Sequence, residues 1–172
     1  MNSTDVTIRR ALPRDARGIY DLVLPYAERR ILVAKELISY FESVQEFVVA
    51  VDQSGESERV VACGALHVMW DDIAEVRTLA VAEDYRGTGL GHQLLEQLIE
   101  RARDLELKRV FCLTFEVEFF QRHGFDVIEG TPVGMDVYQE MLRSHDDGVA
   151  EFLDLARVKP NTLGNARLLL EL

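Results

Sequence analysis

Residues Arg86-Gly87-Thr88-Gly89-Leu90-Gly91 follow the apolar run Leu79-Ala80-Val81 and lead into a strongly periodic helix expected to begin near His92. Three glycines within Gly87–Gly91 let the backbone take positive φ and approach a ligand without interference from Cβ. Successive N–H groups can then converge on one anion. The helix N-terminus behind them adds roughly half a positive charge and its own unpaired donors, and Arg86 supplies a full charge at the mouth. Left alone, these glycines would also serve an ordinary turn, but the arginine, the strand before and the helix after all point to a phosphate cradle. A P-loop would need Gly-Lys-Ser/Thr where this chain has Gly91-His92-Gln93, which excludes Walker-type nucleotide binding. A dinucleotide fingerprint would need G-x-G-x-x-G in the first tight βα turn. Here the pattern is G-x-G-x-G, set off from the strand by Ala82–Arg86.

The helix beyond Gly91 places Leu94, Leu95, Leu98, Ile99, Ala102 and Leu105 on one stripe, with Glu96, Glu100, Arg101 and Arg103 outside. Upstream, strands are expected at Val6–Arg9, Phe47–Val51, Val60–Met69 and Ile73–Val81, with helices over Pro13–Leu24 and Lys35–Phe41. Downstream, Val110–Thr114 reads as a buried strand, Val117–His123 as a short helix closed by Gly124, and Phe125–Ile128 as a strand. Pro132–Ser144 reads as helical, Gly148–Leu155 is ambiguous, and Ala166–Leu172 reads as a final strand. No repeat or linker interrupts this order, so an α/β fold in a single domain over residues 1–172 is expected.

With 172 residues, 48% of them hydrophobic, the chain can fill one core. A net charge of −11 with no basic run argues against nucleic-acid binding. Met1–Asp5 has neither a basic nor an apolar segment, and nowhere do about 18 apolar residues run together. A soluble, cytoplasmic protein without a membrane span is the expectation. Cys63 and Cys112 sit inside strand-like runs as small hydrophobes, and the four histidines lack ligand spacing, so no metal is expected.

The Arg-x-x-Gly-x-Gly loop after its strand resembles the acetyl-CoA-binding motif of the GNAT superfamily of N-acyltransferases. Glu75–Val81 resembles that superfamily's central strand, and Phe119-Phe120-Gln121-Arg122-His123-Gly124-Phe125 its closing helix and Gly-Phe turn. Closer still, Arg30–Lys35, Ala62–Leu66, Ala74–Arg77 and Phe111–Thr114 through Phe125 resemble the acetyltransferase domain of N-acetylglutamate synthases. The tail from Val158-Lys159-Pro160-Asn161 to Arg167 is similar to the short form of those synthases. The resemblance implies the GNAT fold, a mixed central sheet flanked by helices. It also implies acetyl transfer from acetyl-CoA to the α-amino group of L-glutamate or L-glutamine, at the first step of arginine biosynthesis, with arginine as an effector.

Carried over residue by residue, the resemblance gives Leu79, Ala80 and Val81 to the acyl-pantetheine arm. The amides of Arg86, Gly87, Thr88, Gly89, Leu90 and Gly91 go to the pyrophosphate. Glu75 is the candidate base, because a carboxylate in a central strand is costly unless used or paired; pairing with Arg77, two residues along the same face, is the other reading. The superfamily's usual acid, a tyrosine four residues before the Gly of the Gly-Phe turn, is replaced by Phe120. That leaves solvent or a donor such as Tyr26, Tyr40 or Tyr138. An acidic amino acid needs cations, for which Lys35, Arg77 and Arg167 are the candidates, each also readable as an ion-paired residue. Two other functions stay open: acetylation of another amine, a protein N-terminus or a lysine, and a non-catalytic acetyl-CoA or arginine sensor. The apolar Leu168-Leu169-Leu170 is expected to form an edge strand through which a homodimer could pair.

Overall fold

The computed structural model describes residues 5–158 and 164–172. The expectations for the extreme N-terminus at residues 1–4 and for the tail at residues 159–163 lie outside the described residues. The elements are β1 (Val6–Arg10), α1 (Ala16–Glu28), α2 (Leu37–Glu42), β2 (Phe47–Asp52), β3 (Arg59–Val68), β4 (Ile73–Val81), α3 (Leu90–Asp104) and β5 (Arg109–Thr114). They continue with α4 (Val117–Gln121), β6 (Asp126–Ile128), α5 (Met135–Met141), α6 (Asp147–Phe152) and β7 (Ala166–Glu171). The strands form a mixed seven-stranded sheet in the order β1-β2-β3-β4-β5-β7-β6, flanked by helices. β4 and β5 are parallel, while β1/β2, β2/β3, β5/β7 and β6/β7 are antiparallel.

The described residues fall into two compact units, one comprising those up to Leu66 with Thr78–Arg101, the other His67–Arg77 with those from Ala102 onward. In the first, Ala16, Ile19 and Val23 of α1 recur at helical spacing and pack with Phe47, Val49, Val51, Cys63 and Ala65 of β2 and β3. Each such large side chain, once buried, contributes roughly 1.5–3 kcal/mol. All of Phe47–Val51 is buried, as befits a strand covered on both faces. Close approach elsewhere depends on Gly64, where a Cβ would lie 2.9 Å from both Leu79 Cδ1 and Leu98 Cδ1.

The second unit has its own core of Ile73, Phe111, Met141, Val149, Phe152 and Leu153, with Phe111 and Phe152 edge to face at 4.9 Å. Three expectations need correction. β7, carrying Leu168–Leu170, is no edge strand: it pairs with β5 on one side and β6 on the other, so it offers no free ladder to a second copy. Leu105 leaves the α3 stripe because the helix ends at Asp104. Glu106 then turns left-handed (φ 58°), and Leu107, not Leu105, enters the core. Helix α5 is shorter than Pro132–Ser144, since Gly134 caps it in an extended conformation.

Candidate functional site

The glycine loop is built as its residues demand. After β4, the Ala82 N–H donates to the Val61 carbonyl at 2.8 Å, and a single 3-10 turn over Glu83–Tyr85 is pinned by the Tyr85 hydroxyl donating to Asp52 at 2.5 Å. Gly87 (φ 75°) and Gly89 (φ 86°) then both take the left-handed conformation that side chains avoid, and nothing lies within 4 Å of where a Gly87 Cβ would stand. The Gln93 N–H donates to the Gly89 carbonyl at 3.1 Å, closing the first turn of α3. The amides of Leu90 and Gly91 precede that bond and have no intrahelical acceptor. The result is a ring of backbone donors at a helix N-terminus, which suits an anion.

Arg86 reaches back to α1. Its Nη2 donates to the Tyr26 hydroxyl at 3.3 Å, and its guanidinium stands 5.8 Å from the centre of the Tyr26 ring. The Tyr26 hydroxyl in turn donates to the Val81 carbonyl at 2.5 Å. Nearby, Thr78 takes φ 58°, a conformation costing roughly 1–2 kcal/mol for a residue with a Cβ. The Cys63 thiol donates to the Thr78 carbonyl at 3.4 Å. Burial pushes that thiol up to about 12, so it stays a proton donor. Leu79 and Val81 are half-buried and Ala80 is buried.

In the second unit, β4 pairs with β5 from Ile73↔Arg109 to Val76↔Cys112. Glu75, 4% exposed, meets Arg77: its Oε2 accepts from Nη2 at 2.8 Å and from Nε at 3.0 Å. A third member joins the pair from the turn before α6. Asp146 accepts from Arg77 Nη1 at 3.0 Å and Nη2 at 2.9 Å, and its Oδ1 also takes the Val149 N–H at 2.9 Å, capping α6. Burial alone would lower the Arg77 pKa, but the two carboxylates outweigh it and hold the guanidinium above its ordinary value. Burial would likewise raise Asp146, yet the Arg77 bonds and charge carry it well below the usual carboxylate range. Arg77 thus bridges the buried Glu75 and the partly exposed Asp146, with the Arg167 guanidinium also within electrostatic reach of Glu75. The only sequence cue to Asp146 is the Asp-Asp-Gly preceding an apolar run, an N-cap signature.

Of the other candidates, Lys35 lies half-buried in the segment before α2 and has a partner. Arg167 is engaged by the fold. Its Nε donates to the Gly130 carbonyl at 2.9 Å and its Nη1 to the Glu151 carbonyl at 3.1 Å, its Nη2 reaches the Phe152 carbonyl, and the guanidinium sits 5.0 Å from the Phe111 ring centre. It therefore closes the C-terminal end of α6. Burial holds its pKa below the ordinary arginine value, with Asp154 and Glu75 opposing. Phe120 is 5% exposed and stacks edge to face with Phe119 and Phe125. Tyr40 is buried, and desolvation raises its hydroxyl to about 12; Tyr138 packs against the second core. Among the described residues no three His, Cys, Asp or Glu side chains are grouped to hold a metal ion, and no helix is long and apolar enough to cross a membrane.

The loop, its strand and the helix behind it are the signature parts of one family, and the chain belongs to the acetyltransferase (GNAT) family, whose profile matches residues 16–125. Among its relatives is the amino-acid acetyltransferase of Mycobacterium tuberculosis, 54% identical over 165 residues that cover 96% of this chain and 94% of that one. A crystal structure of a Mycobacterium tuberculosis protein in complex with CoA and NLQ superposes with a TM-score of 0.92 at 54% identity, covering 96% of this chain and 99% of that one. The N-acetylglutamate synthase of Neisseria gonorrhoeae, solved with coenzyme A and N-acetyl-glutamate, has the same fold at a TM-score of 0.74 and 22% identity. That match covers 97% of this chain and 35% of the synthase.

Proposed function

We propose that this chain, as a single N-acetyltransferase domain, transfers the acetyl group of acetyl-CoA to the α-amino group of L-glutamate, with L-glutamine as the alternative acceptor, at the first step of arginine biosynthesis. The observation that carries this reading is the near full-length, 54% identity to an amino-acid acetyltransferase. The loop geometry fits the donor: positive-φ glycines and the first-turn amides of Leu90 and Gly91 suit a pyrophosphate, and Arg86 adds charge. The extended backbone of Leu79, Ala80 and Val81 suits the amides of the pantetheine arm.

In this reading the acceptor arrives mostly protonated, since an α-amino group has a pKa of about 8, and must give up a proton before it attacks. Glu75, the buried carboxylate of the Glu75–Arg77–Asp146 cluster, takes that proton, directly or through water. The free amine adds to the thioester carbonyl, and a backbone N–H near Val81 stabilises the oxyanion. The C–S bond then breaks as the nitrogen gives up its second proton to solvent, and the thiolate takes a proton from solvent, Phe120 having no hydroxyl to give. Lys35 pairs with an acceptor carboxylate. Arg77 and Arg167, already engaged within the fold, are the other candidate cations for the acceptor's carboxylates.

Phe120 also favours a second reading, a non-catalytic acetyl-CoA or arginine sensor. Thiol release from acetyl-CoA, measured with glutamate, glutamine, other amino acids, polyamines and a peptide N-terminus, separates the cases. The highest kcat/KM with glutamate or glutamine is expected. Faster acetylation of a peptide or polyamine would overturn the substrate, and acetyl-CoA binding without turnover on any amine would overturn the enzyme.

A further inference from the structure

Tyr26 joins three parts of the first unit that the proposed reaction needs to act in turn. Its hydroxyl donates to the Val81 carbonyl at 2.5 Å, at the end of the acyl-arm strand, and accepts from Arg86 at 3.3 Å, at the start of the phosphate loop. Its own backbone carbonyl accepts the N–H groups of Ile31 at 2.9 Å and Leu32 at 3.3 Å, closing α1 through a left-handed Arg30 (φ 58°). The chain then runs directly into Lys35. A cavity of about 740 Å³, lined by Leu22, Pro25, Tyr26, Val60, Ala82 and Arg86 among others, leaves ring and guanidinium room to part.

We infer that Tyr26 is a positioning residue that couples occupancy of the phosphate loop to the segment bearing Lys35. This rests on the function proposed above. A pyrophosphate offers Arg86 full negative charge, which a neutral hydroxyl and a ring face do not match. Donor binding therefore draws Arg86 off Tyr26, loosens the closing turn of α1 and frees the Lys35 segment to settle on the acceptor. The coupling is reciprocal, so the acceptor binds the donor-loaded protein more tightly than the empty one.

Tyr26→Phe keeps the ring and removes both hydroxyl bonds. In the wild type, CoA is expected to speed amide hydrogen exchange at Ile31 and Leu32 by about fivefold and to tighten L-glutamate binding by about tenfold, within the usual span of coupling factors. In Tyr26→Phe both effects should fall below about twofold while CoA affinity stays within about threefold of wild type. Unchanged exchange at Ile31 and Leu32 in CoA-loaded wild type, or the same response in the variant, would overturn the inference. Failure of wild type to bind glutamate at all would strike at the proposed function instead, with the exchange at Ile31 and Leu32 still deciding whether Tyr26 carries the coupling. Were CoA itself not bound, inorganic pyrophosphate would replace it on the same amides.

Discussion

Gly148 lies in α6, where alanine would ordinarily be the better residue by up to about 1 kcal/mol; here Gly148→Ala should destabilise. A Cβ at 148 would stand within 3.0 Å of three Arg77 guanidinium atoms, Nη2, Cζ and Nε. The end of a free arginine could swing aside at little cost. This one is held by two bonds to Glu75 and two to Asp146, all of 2.8–3.0 Å. Restoring ordinary contact demands a shift of roughly 1 Å, enough to stretch at least two of those bonds past useful length. Charge-assisted hydrogen bonds contribute about 1.5–3 kcal/mol each. Part of that loss is recovered by backbone relaxation and helix propensity, leaving a net destabilisation of about 2–4 kcal/mol. Urea titration followed by circular dichroism is the assay, and with an m-value of about 2 kcal/mol/M the midpoint should drop by about 1–2 M. In an Arg77→Met background the same glycine substitution should become neutral or slightly stabilising. A midpoint unchanged or raised by Gly148→Ala with Arg77 in place would refute the account of the cluster.

Gly91→Glu places a negative charge in the first turn of α3, which favours the helix by about 0.3–1 kcal/mol yet opposes a phosphate. Calorimetry should find a well-folded protein that no longer binds CoA, and near-normal binding would remove the cradle assignment. Lys35→Met should raise KM for glutamate by roughly 10- to 100-fold, the loss of one charged hydrogen bond, with little change for acetyl-CoA; equal effects on both would point to a folding defect. Asp146, held below its ordinary range, contributes stability that is complete above its unfolded pKa of about 3.9 and is lost as pH falls toward its folded value. Urea midpoints measured from pH 6 downward should therefore fall less steeply in Asp146→Asn than in wild type.

The elements read most surely from sequence were those with one dominant period. β4 occupies Ile73–Val81 as expected, because its apolar run is buried on both faces from Ile73 to Val76 and alternates beyond. Helix α3 follows its stripe as far as Ala102 because the helix buries one face. Helix α1 runs on past Leu24 through Pro25 to Glu28, although proline costs the helix a hydrogen bond. Tertiary bonds of Tyr26 to Val81 and Arg86 hold the extra turn in place, and no local propensity reports them. The Glu75–Arg77 pair was legible because two residues on one strand face must meet. Asp146 was not, since nothing in sequence spacing says which distant loop will return to that face. The engagement of Arg167 with backbone carbonyls was hidden for a similar reason: it depends on where α6 ends, and Gly148 had blurred that helix.

The placement of β7 between β5 and β6 bears on how the protein is made. Phe111 of β5 pairs with Leu169 and Val127 of β6 with Leu168, so two strands emerge from the ribosome before the one that joins them. At about 5–20 residues per second, the stretch from Thr114 to Ala166 takes roughly 3–10 s to synthesise. For that interval the apolar run Val110-Phe111-Cys112-Leu113 lacks its antiparallel neighbour, a state that invites pairing with other nascent chains. Slower downstream translation or scarce chaperone should therefore reduce yield during expression, in a protein whose finished sheet keeps that run covered.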